Sequence, residues 1–161
     1  MTYLITFACY GRHLHGSESG SVDREHNMPR TPILEVDPVR ATAERGRMDQ
    51  APYQLDQIRR DAVLEAIHEV CGHRGWTLFA AHVRSSHVHA VVEAEARPER
   101  VMNDFKAFAS RRLNQLRLDE PDRKRWARHG STRWLGKPQQ VSAAIQYVVH
   151  EQGDAMSVFE S

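Results

Sequence analysis

The chain has 161 residues, of which 40% are hydrophobic, and that is enough for one domain with a sizeable core. A formal net charge of +1 excludes a globally basic nucleic-acid binder, so any surface of that kind must be local. Cys9 and Cys71 match no zinc or redox spacing, and no stretch resembles a membrane span or a signal peptide, so we expect one cytoplasmic domain over residues 1–161.

The first predicted element is a strand over residues 3–10, where aromatic and β-branched residues favour a buried strand. A His-x-His pair, His13 and His15, follows it, but the flanking glycines predict a loop there. This pair is a weaker candidate for a metal site than a second pair further along the chain.

A long polar segment comes next, at about residues 16–53, and we interpret it as an inserted loop rich in proline. Asp37 and Pro38 could begin a short helix over residues 39–48, with Asp37 as its cap. The loop is either a surface decoration or a contact for the substrate, and its composition is compatible with both.

A helix and a hairpin follow this loop. Apolar residues at helical spacing predict a helix over residues 55–73, which glycines then end. Residues 76–83 predict a strand, and a short turn leads from it into a second strand over residues 86–93.

Two histidines of this second strand share one face. Alternate side chains of a strand point the same way, so His87 and His89 project together, while Val88 and Ala90 face the core. At roughly 3.3 Å of rise per residue, the two imidazoles are about 7 Å apart and can converge on one cation. The spacing alone is also compatible with two ordinary histidines on a half-exposed strand.

The basic residues concentrate between the second and third predicted helices. Residues 98–118 predict a helix with Pro98 at its start, and residues 131–135 predict a last strand. The segment 123–134 combines cations with two tryptophans and has no acidic residue, a pattern typical of a single-strand binder. A basic loop whose tryptophans fill the core is the competing interpretation. The residues assigned to nucleic-acid contact are Lys106, Arg111, Arg112, Arg123, Lys124, Arg125, Trp126, Arg128 and Arg133.

The last predicted helix covers residues 139–152. Its apolar residues form one stripe, and Tyr147 and Glu151 lie one turn apart on the flank of that stripe. This places both side chains at the edge of a groove. A partly buried tyrosine beside a surface glutamate would produce the same pattern.

The order of these elements predicts an α+β fold with a ferredoxin-like βαββαβ antiparallel sheet, helices packed on it, and a C-terminal helix. The segment His87-Val88-His89 resembles the His-hydrophobic-His motif of the HUH single-strand endonucleases. Tyr147 with Glu151 resembles the catalytic helix of the single-tyrosine (Y1) transposases, which are the IS200/IS605-type enzymes and their REP-associated relatives.

This resemblance implies a function and a set of site residues. Tyr147 is then the nucleophile, and His87, His89 and Glu151 hold a divalent cation, Mg²⁺ or Mn²⁺. The family commonly has Gln where this chain has Glu151, and Gln152 is a lesser candidate for that ligand. The implied partner is single-stranded DNA with a hairpin or palindromic repeat, bound by a monomer or a homodimer, and cleaved to a 5′-phosphotyrosine and a free 3′-OH.

Two other functions are compatible with the sequence. One is a binding module that grips single-stranded nucleic acid through residues 123–134 without catalysis. The other is a small zinc hydrolase in which His82 or His13 joins His87 and His89 as the third ligand.

Overall fold

The structure, a computed structural model, describes residues 1–12 and 49–161. The His13 and His15 pair, the helix predicted over residues 39–48 and most of the predicted long loop lie outside these residues. The elements in chain order are β1 (Thr2–Cys9), α1 (Gln57–Arg74), β2 (Thr77–Val83), β3 (His87–Glu93), α2 (Pro98–Leu116), β4 (Trp126–Leu135), α3 (Pro138–His150) and β5 (Ser157–Glu160).

The strands of the described residues form one antiparallel sheet with the order β4-β1-β3-β2-β5. The elements from β1 to β4 follow the predicted βαββαβ order, so the predicted α+β, ferredoxin-like fold is confirmed. The sequence did not predict β5, which pairs with the outer edge of β2. It also placed the start of β4 too late, because the strand begins at Trp126.

The helices lie on both faces of the sheet. Helices α1 and α2 cover one face and form the main core with it, which includes Ile5, Phe7, Val63, Ile67, Val88, Ala90 and Phe105. Burial of each large apolar side chain of this kind stabilises the fold by about 1.5–3 kcal/mol. Helix α3 covers the other face, called the α3 face below, through a smaller apolar cluster of Ala80, Val91, Leu135, Ala144 and Val148.

The ends of the helices have local causes. The Asp56 carboxylate accepts a hydrogen bond from the backbone N–H of Arg59 at 3.0 Å and caps α1, and Gly75 ends the helix with a left-handed φ of 74°. Leu55, which was predicted to begin this helix, is buried just before it. Helix α3 ends at His150, two residues earlier than predicted, and Glu151 is its C-cap.

Among residues 1–12 and 49–161, no helix is both long enough and apolar enough to cross a membrane.

Candidate active site

The paired histidines of β3 lie on the α3 face of the sheet. Val88 and Ala90 point into the main core, so strand alternation sends His87 and His89 to the opposite face, as predicted. Their rings are nearly parallel, with an interplanar angle of 11° and centroids 6.1 Å apart. Two imidazoles in this arrangement can serve as neighbouring ligands of one cation.

Each of these imidazoles has a hydroxyl group at its Nδ1 atom. Thr6 pairs with His89 across β1 and β3, and its Oγ1 lies 3.2 Å from Nδ1 of His89. Ser86 Oγ lies 3.0 Å from Nδ1 of His87 and accepts a hydrogen bond from Arg12 Nε at 3.2 Å. A hydroxyl at Nδ1 orients the ring, and where its oxygen accepts the Nδ1 hydrogen, the lone pair is left on the other ring nitrogen, which is the form that a metal binds.

His89 is uncharged at neutral pH. Burial, followed by charge repulsion from His87, lowers the pKa of His89 to about 4. Because only a neutral imidazole offers a lone pair to a metal, His89 is in the ligating form throughout the physiological range.

Tyr147 is the aromatic residue that helix α3 brings to this pair. Its ring meets the ring of His89 edge to face, with centroids 6.0 Å apart. Val148 and Ala144 bury one side of α3 against the sheet, so Tyr147 lies on the flank of the helix and stays 42% exposed. Tyr3 and Tyr53, in contrast, are buried away from solvent.

Glu151 and Gln152 follow the last turn of α3. The backbone N–H of Glu151 donates to the carbonyl of Tyr147 at 3.2 Å, and the side-chain amide of Gln152 donates to the same carbonyl at 3.3 Å. Within the part of the chain that the structure describes, no three His, Cys, Asp or Glu side chains are gathered closely enough to hold a metal ion. The histidine pair thus fits two positions around a divalent cation, and Glu151 as a third ligand stays a prediction.

His82 lies next to the site, and the sequence analysis named it as a possible third ligand of a zinc ion. It pairs with His89 across β2 and β3 and is fully buried. Its Nδ1 lies 2.9 Å from the carbonyl of Val148, and its Nε2 accepts the backbone N–H of Met156 at 3.0 Å. Since both ring nitrogens are engaged, His82 does not offer a lone pair to a metal. The prediction of His82 as the third ligand of a zinc hydrolase is therefore wrong, and His13, the other candidate for that position, lies outside the described residues.

Two residues assigned to DNA contact, Arg125 and Trp126, pack against other parts of the protein. Arg125 is 4% exposed, and its guanidinium donates to Asn114 Oδ1 at 2.8 Å and to Asp119 Oδ2 at 3.5 Å. A guanidinium buried in these contacts cannot reach a phosphate, so the prediction for Arg125 is wrong.

Trp126 is the second of these residues. Its ring packs edge to face on Phe7, with centroids 5.2 Å apart, and its Nε1–H donates to Ser110 Oγ at 2.9 Å. The half-buried indole fills the space between β4 and α2. This position favours the interpretation of Trp126 as part of the core rather than as a platform for a base.

Other cations from the assigned set are held by protein partners. Arg112 bridges α2 to Glu65 and Glu69 of α1, away from the α3 face. Lys106 Nζ donates to the carbonyl of Ala127 at 3.0 Å, and burial lowers the pKa of Lys106. These contacts reduce the availability of both residues for DNA.

Lys124 and Arg123 contact the segment that precedes α1. Lys124 forms an ion pair with Asp49 at 2.8 Å, and Arg123 donates to the carbonyl of Ala51 at 2.6 Å. The guanidinium of Arg123 also lies 5.0 Å above the ring of Tyr53. Their roles in DNA binding stay predictions.

The exposed cations without an ion pair or hydrogen bond among the described residues include Arg128 and Arg133 on β4, and Arg111, which lies over the Phe108 ring. Arg133 pairs with Leu4, so it lies on the α3 face.

Arg128 belongs to a bulge of β4 at residues 127–129, which lies opposite Ala8 of β1. On its other side, Ala8 pairs with His87 of β3. The bulge thus lies two strands from His87, at about 10 Å for a strand spacing of roughly 4.8 Å.

Comparison with known proteins agrees with these observations. No curated protein matches the sequence. A solved structure of a REP-associated tyrosine transposase bound to a REP hairpin matches 93% of this chain with a TM-score of 0.55 and 11% sequence identity, which shows a shared fold. This chain spans 65% of the length of that protein. The family described as "Transposase IS200 like" matches residues 52–150, which is more than half of the chain. The chain therefore belongs to the family of IS200-like transposases.

Proposed function

We propose that this protein is a metal-dependent single-stranded DNA endonuclease and strand transferase that forms a 5′-phosphotyrosine intermediate through Tyr147. The contact between the Tyr147 and His89 rings, with centroids 6.0 Å apart, carries the proposal. It joins a partly exposed hydroxyl nucleophile to a pair of imidazoles suited to a cation, which is the combination that metal-assisted phosphoryl transfer requires. Membership of a transposase family supports the same function.

In the proposed reaction, the phenolic oxygen of Tyr147 attacks a phosphorus atom of a single DNA strand. The new bond joins that oxygen to the 5′ phosphate, the bond from phosphorus to the 3′ oxygen breaks, and the phenolic proton reaches the 3′ oxygen through solvent. The 3′-OH of another strand can then attack the same phosphorus and release Tyr147. Since one ester replaces another at each step, the protein can join strands as well as cut them.

The proposed cofactor is Mg²⁺ or Mn²⁺, held by His87, His89 and Glu151. When bound, the cation would neutralise negative charge that develops on the scissile phosphate. Two imidazoles with one carboxylate suit Mn²⁺ well and Mg²⁺ acceptably, because Mg²⁺ prefers more oxygen ligands. The adjacent rings and the neutral state of His89 support the histidine part of this set.

The proposed substrate is single-stranded DNA that carries a hairpin or a palindromic repeat, encountered in the cytoplasm. The similar solved protein was bound to a REP hairpin, which supports this class of substrate. One chain holds both Tyr147 and the histidine pair, so the chemistry is open to a monomer as well as to a homodimer.

The test is a search for the covalent intermediate. Labelled hairpin DNA with single-stranded flanks is incubated with Mn²⁺ and the protein, and the mixture is then denatured. The unmodified protein should give a protein–DNA adduct and a shorter strand with a 3′-OH end, and Tyr147→Phe should give neither while it still binds the DNA.

Tyr10→Phe is the matched control, since it removes a hydroxyl that contacts Asp49 outside the site. A shift of the intact strand without cleavage would identify a binding module, and cleavage without an adduct would identify a hydrolase.

A further inference from the structure

His82 lies between the two parts of the proposed site, which are Tyr147 on α3 and the pair of His87 and His89 on β3. It stands beside His89 in the sheet, and its side chain is bonded to Val148, the residue that follows Tyr147 in α3. The hydrogen-bond roles are unambiguous, because a carbonyl only accepts and a backbone N–H only donates. Nδ1 of His82 therefore carries the hydrogen that binds Val148, and Nε2 carries the lone pair that binds Met156.

We propose that His82 is a positioning residue for Tyr147, which sets the place of the last turn of α3 relative to the histidine pair. This inference rests on the proposed function of Tyr147 as nucleophile. The hydrogen bond from His82 to the carbonyl of Val148 makes this connection. Val148 follows Tyr147 in the helix, and His82 pairs with His89 in the sheet.

The need for such a link follows from how α3 is held. Only Ala144 and Val148 of this helix are buried, and Val141, Ile145 and Val149 are partly buried against the same cluster. Apolar contacts are not directional, so they set the exact height and rotation of the helix less sharply than a hydrogen bond does. The last carbonyls of any helix also lack partners within the helix. A buried imidazole that satisfies one of them fixes both the height and the rotation of the final turn.

The same imidazole also holds the chain after the helix. Met156 donates its backbone N–H to Nε2, and Arg84 of the hairpin turn donates to the carbonyl of Asp154 at 2.9 Å. These bonds hold the segment 151–156, which contains Glu151, against the end of β2. His82 thus has one nitrogen for the helix and one for the turn, so the two effects can be separated by substitution.

The experiment compares His82→Leu with His82→Asn. Leucine removes both bonds, whereas the asparagine amide N–H occupies the place of Nδ1–H and keeps the bond to Val148. Adduct formation is measured in a single turnover with saturating hairpin DNA and Mn²⁺, below the unfolding temperature of every variant. His82→Leu should slow the adduct on the order of 10²-fold, the cost typical of a misplaced reacting group, and His82→Asn should restore most of the rate. The dissociation constant for the hairpin should not change, and the dissociation constant for Mn²⁺ should be the same in the two variants, because both lose the bond to Met156 that holds the segment with Glu151.

Amide hydrogen exchange provides a readout that is independent of activity. The Met156 amide should exchange faster in both variants, because both lack an acceptor at the place of Nε2. His73→Leu, on an exposed part of α1, is the control and should react like the unmodified protein.

The outcomes separate the two proposals. Adduct formation by His82→Leu at the unmodified rate would overturn the role of His82 and leave the proposed function standing. Equal slowing in His82→Asn and His82→Leu would overturn the assignment to the Val148 bond. Absence of any adduct with the unmodified protein would overturn the proposed function, and the positioning role with it.

Discussion

The ring of Tyr147 stands edge to face against the ring of His89, with 6.0 Å between their centroids. One ring comes from a helix and the other from the middle of the sheet, and 58 positions separate the two residues along the chain (147 − 89). The contact brings together a side chain that would react with DNA and one that would hold a cation. Their separate contributions can be tested one at a time.

Replacement of His89 with Ala should weaken Mn²⁺ binding. Loss of an outer partner of a metal ligand costs roughly 10–100-fold in affinity, so loss of a ligand itself should cost at least as much. Titration calorimetry of the protein with Mn²⁺ measures this, and His73→Ala, outside the site, is the control. Equal affinities of the His89 variant and the unmodified protein would remove the proposed metal site.

Removal of the Thr6 hydroxyl should weaken the site without touching a ligand. Thr6→Val keeps the shape of the side chain but loses the hydrogen bond to His89 Nδ1, so Mn²⁺ affinity should fall roughly 10–100-fold. Thr6→Ser should retain the affinity, and Thr2→Val, on the same strand and face, should have no effect. Nitrogen NMR of the His89 ring should show a changed tautomer balance in Thr6→Val alone; an unaltered balance would contradict the role of this hydroxyl.

The metal-free protein should lose stability as the pH falls from 6.5 towards 4. The folded protein keeps His89 neutral because burial lowers the pKa of His89 to about 4, whereas the unfolded chain takes up the proton near pH 6.5. Protons therefore favour unfolding in this window, by up to about 3 kcal/mol, and the effect levels off below pH 4. Urea unfolding in the presence of a chelator measures it.

His89→Asn should flatten the same curve, because the variant has no imidazole to titrate at this position. His82 contributes in the same direction, since burial also lowers the pKa of His82. A variant curve as steep as that of the unmodified protein would place the titration elsewhere.

The salt dependence of DNA binding should depend on Arg128 and Arg133. Both are exposed on β4, and each phosphate contact to a single strand contributes roughly 0.7 to the slope of log K against log salt. The double substitution by Ala should therefore reduce the slope by about 1.4. Arg112→Ala, whose charge is held by Glu65 and Glu69, is the matched control and should leave the slope unchanged. Equal slopes for all three proteins would mean that the DNA lies along another surface.

The two tryptophans of β4 should behave differently on substitution. Trp126→Ala removes a ring that packs on Phe7 and a hydrogen bond to Ser110, so the free energy of unfolding should fall by about 3 kcal/mol. Trp134 is 62% exposed, and Trp134→Ala should change stability by less than about 0.5 kcal/mol. Chemical unfolding of both variants tests this. An unchanged stability of Trp126→Ala together with weaker DNA binding would restore Trp126 as a stacking platform.

The features that the sequence predicted well depend on local periodicity. Alternation along one strand was enough to place His87 and His89 on one face and Val88 on the other. Helical spacing was likewise enough to put Tyr147 on the flank of the apolar stripe. Both patterns repeat within a few residues, so no knowledge of the rest of the chain is required.

The features that it missed depend on residues far apart in the chain. Thr6 and His89 are 83 positions apart, and nothing near either of them signals their hydrogen bond. Burial of Arg125 follows from Asn114 and Asp119, which come from the end of α2 and the turn after it. The strand β5 has only four residues, and its pairing with β2 is what makes it a strand. Contacts of this kind are decided by tertiary structure and leave little trace in the local sequence.

Because β5 pairs with β2, α3 is followed as well as preceded by a strand of the sheet. Strand β4 enters the helix from one edge of the sheet, and β5 leaves it along the opposite edge. A DNA end attached to Tyr147 would consequently be carried by a helix that is connected to the sheet at both of its ends. Exchange of one strand for another would then require the released 3′ end to leave, and its replacement to arrive, beside this one helix.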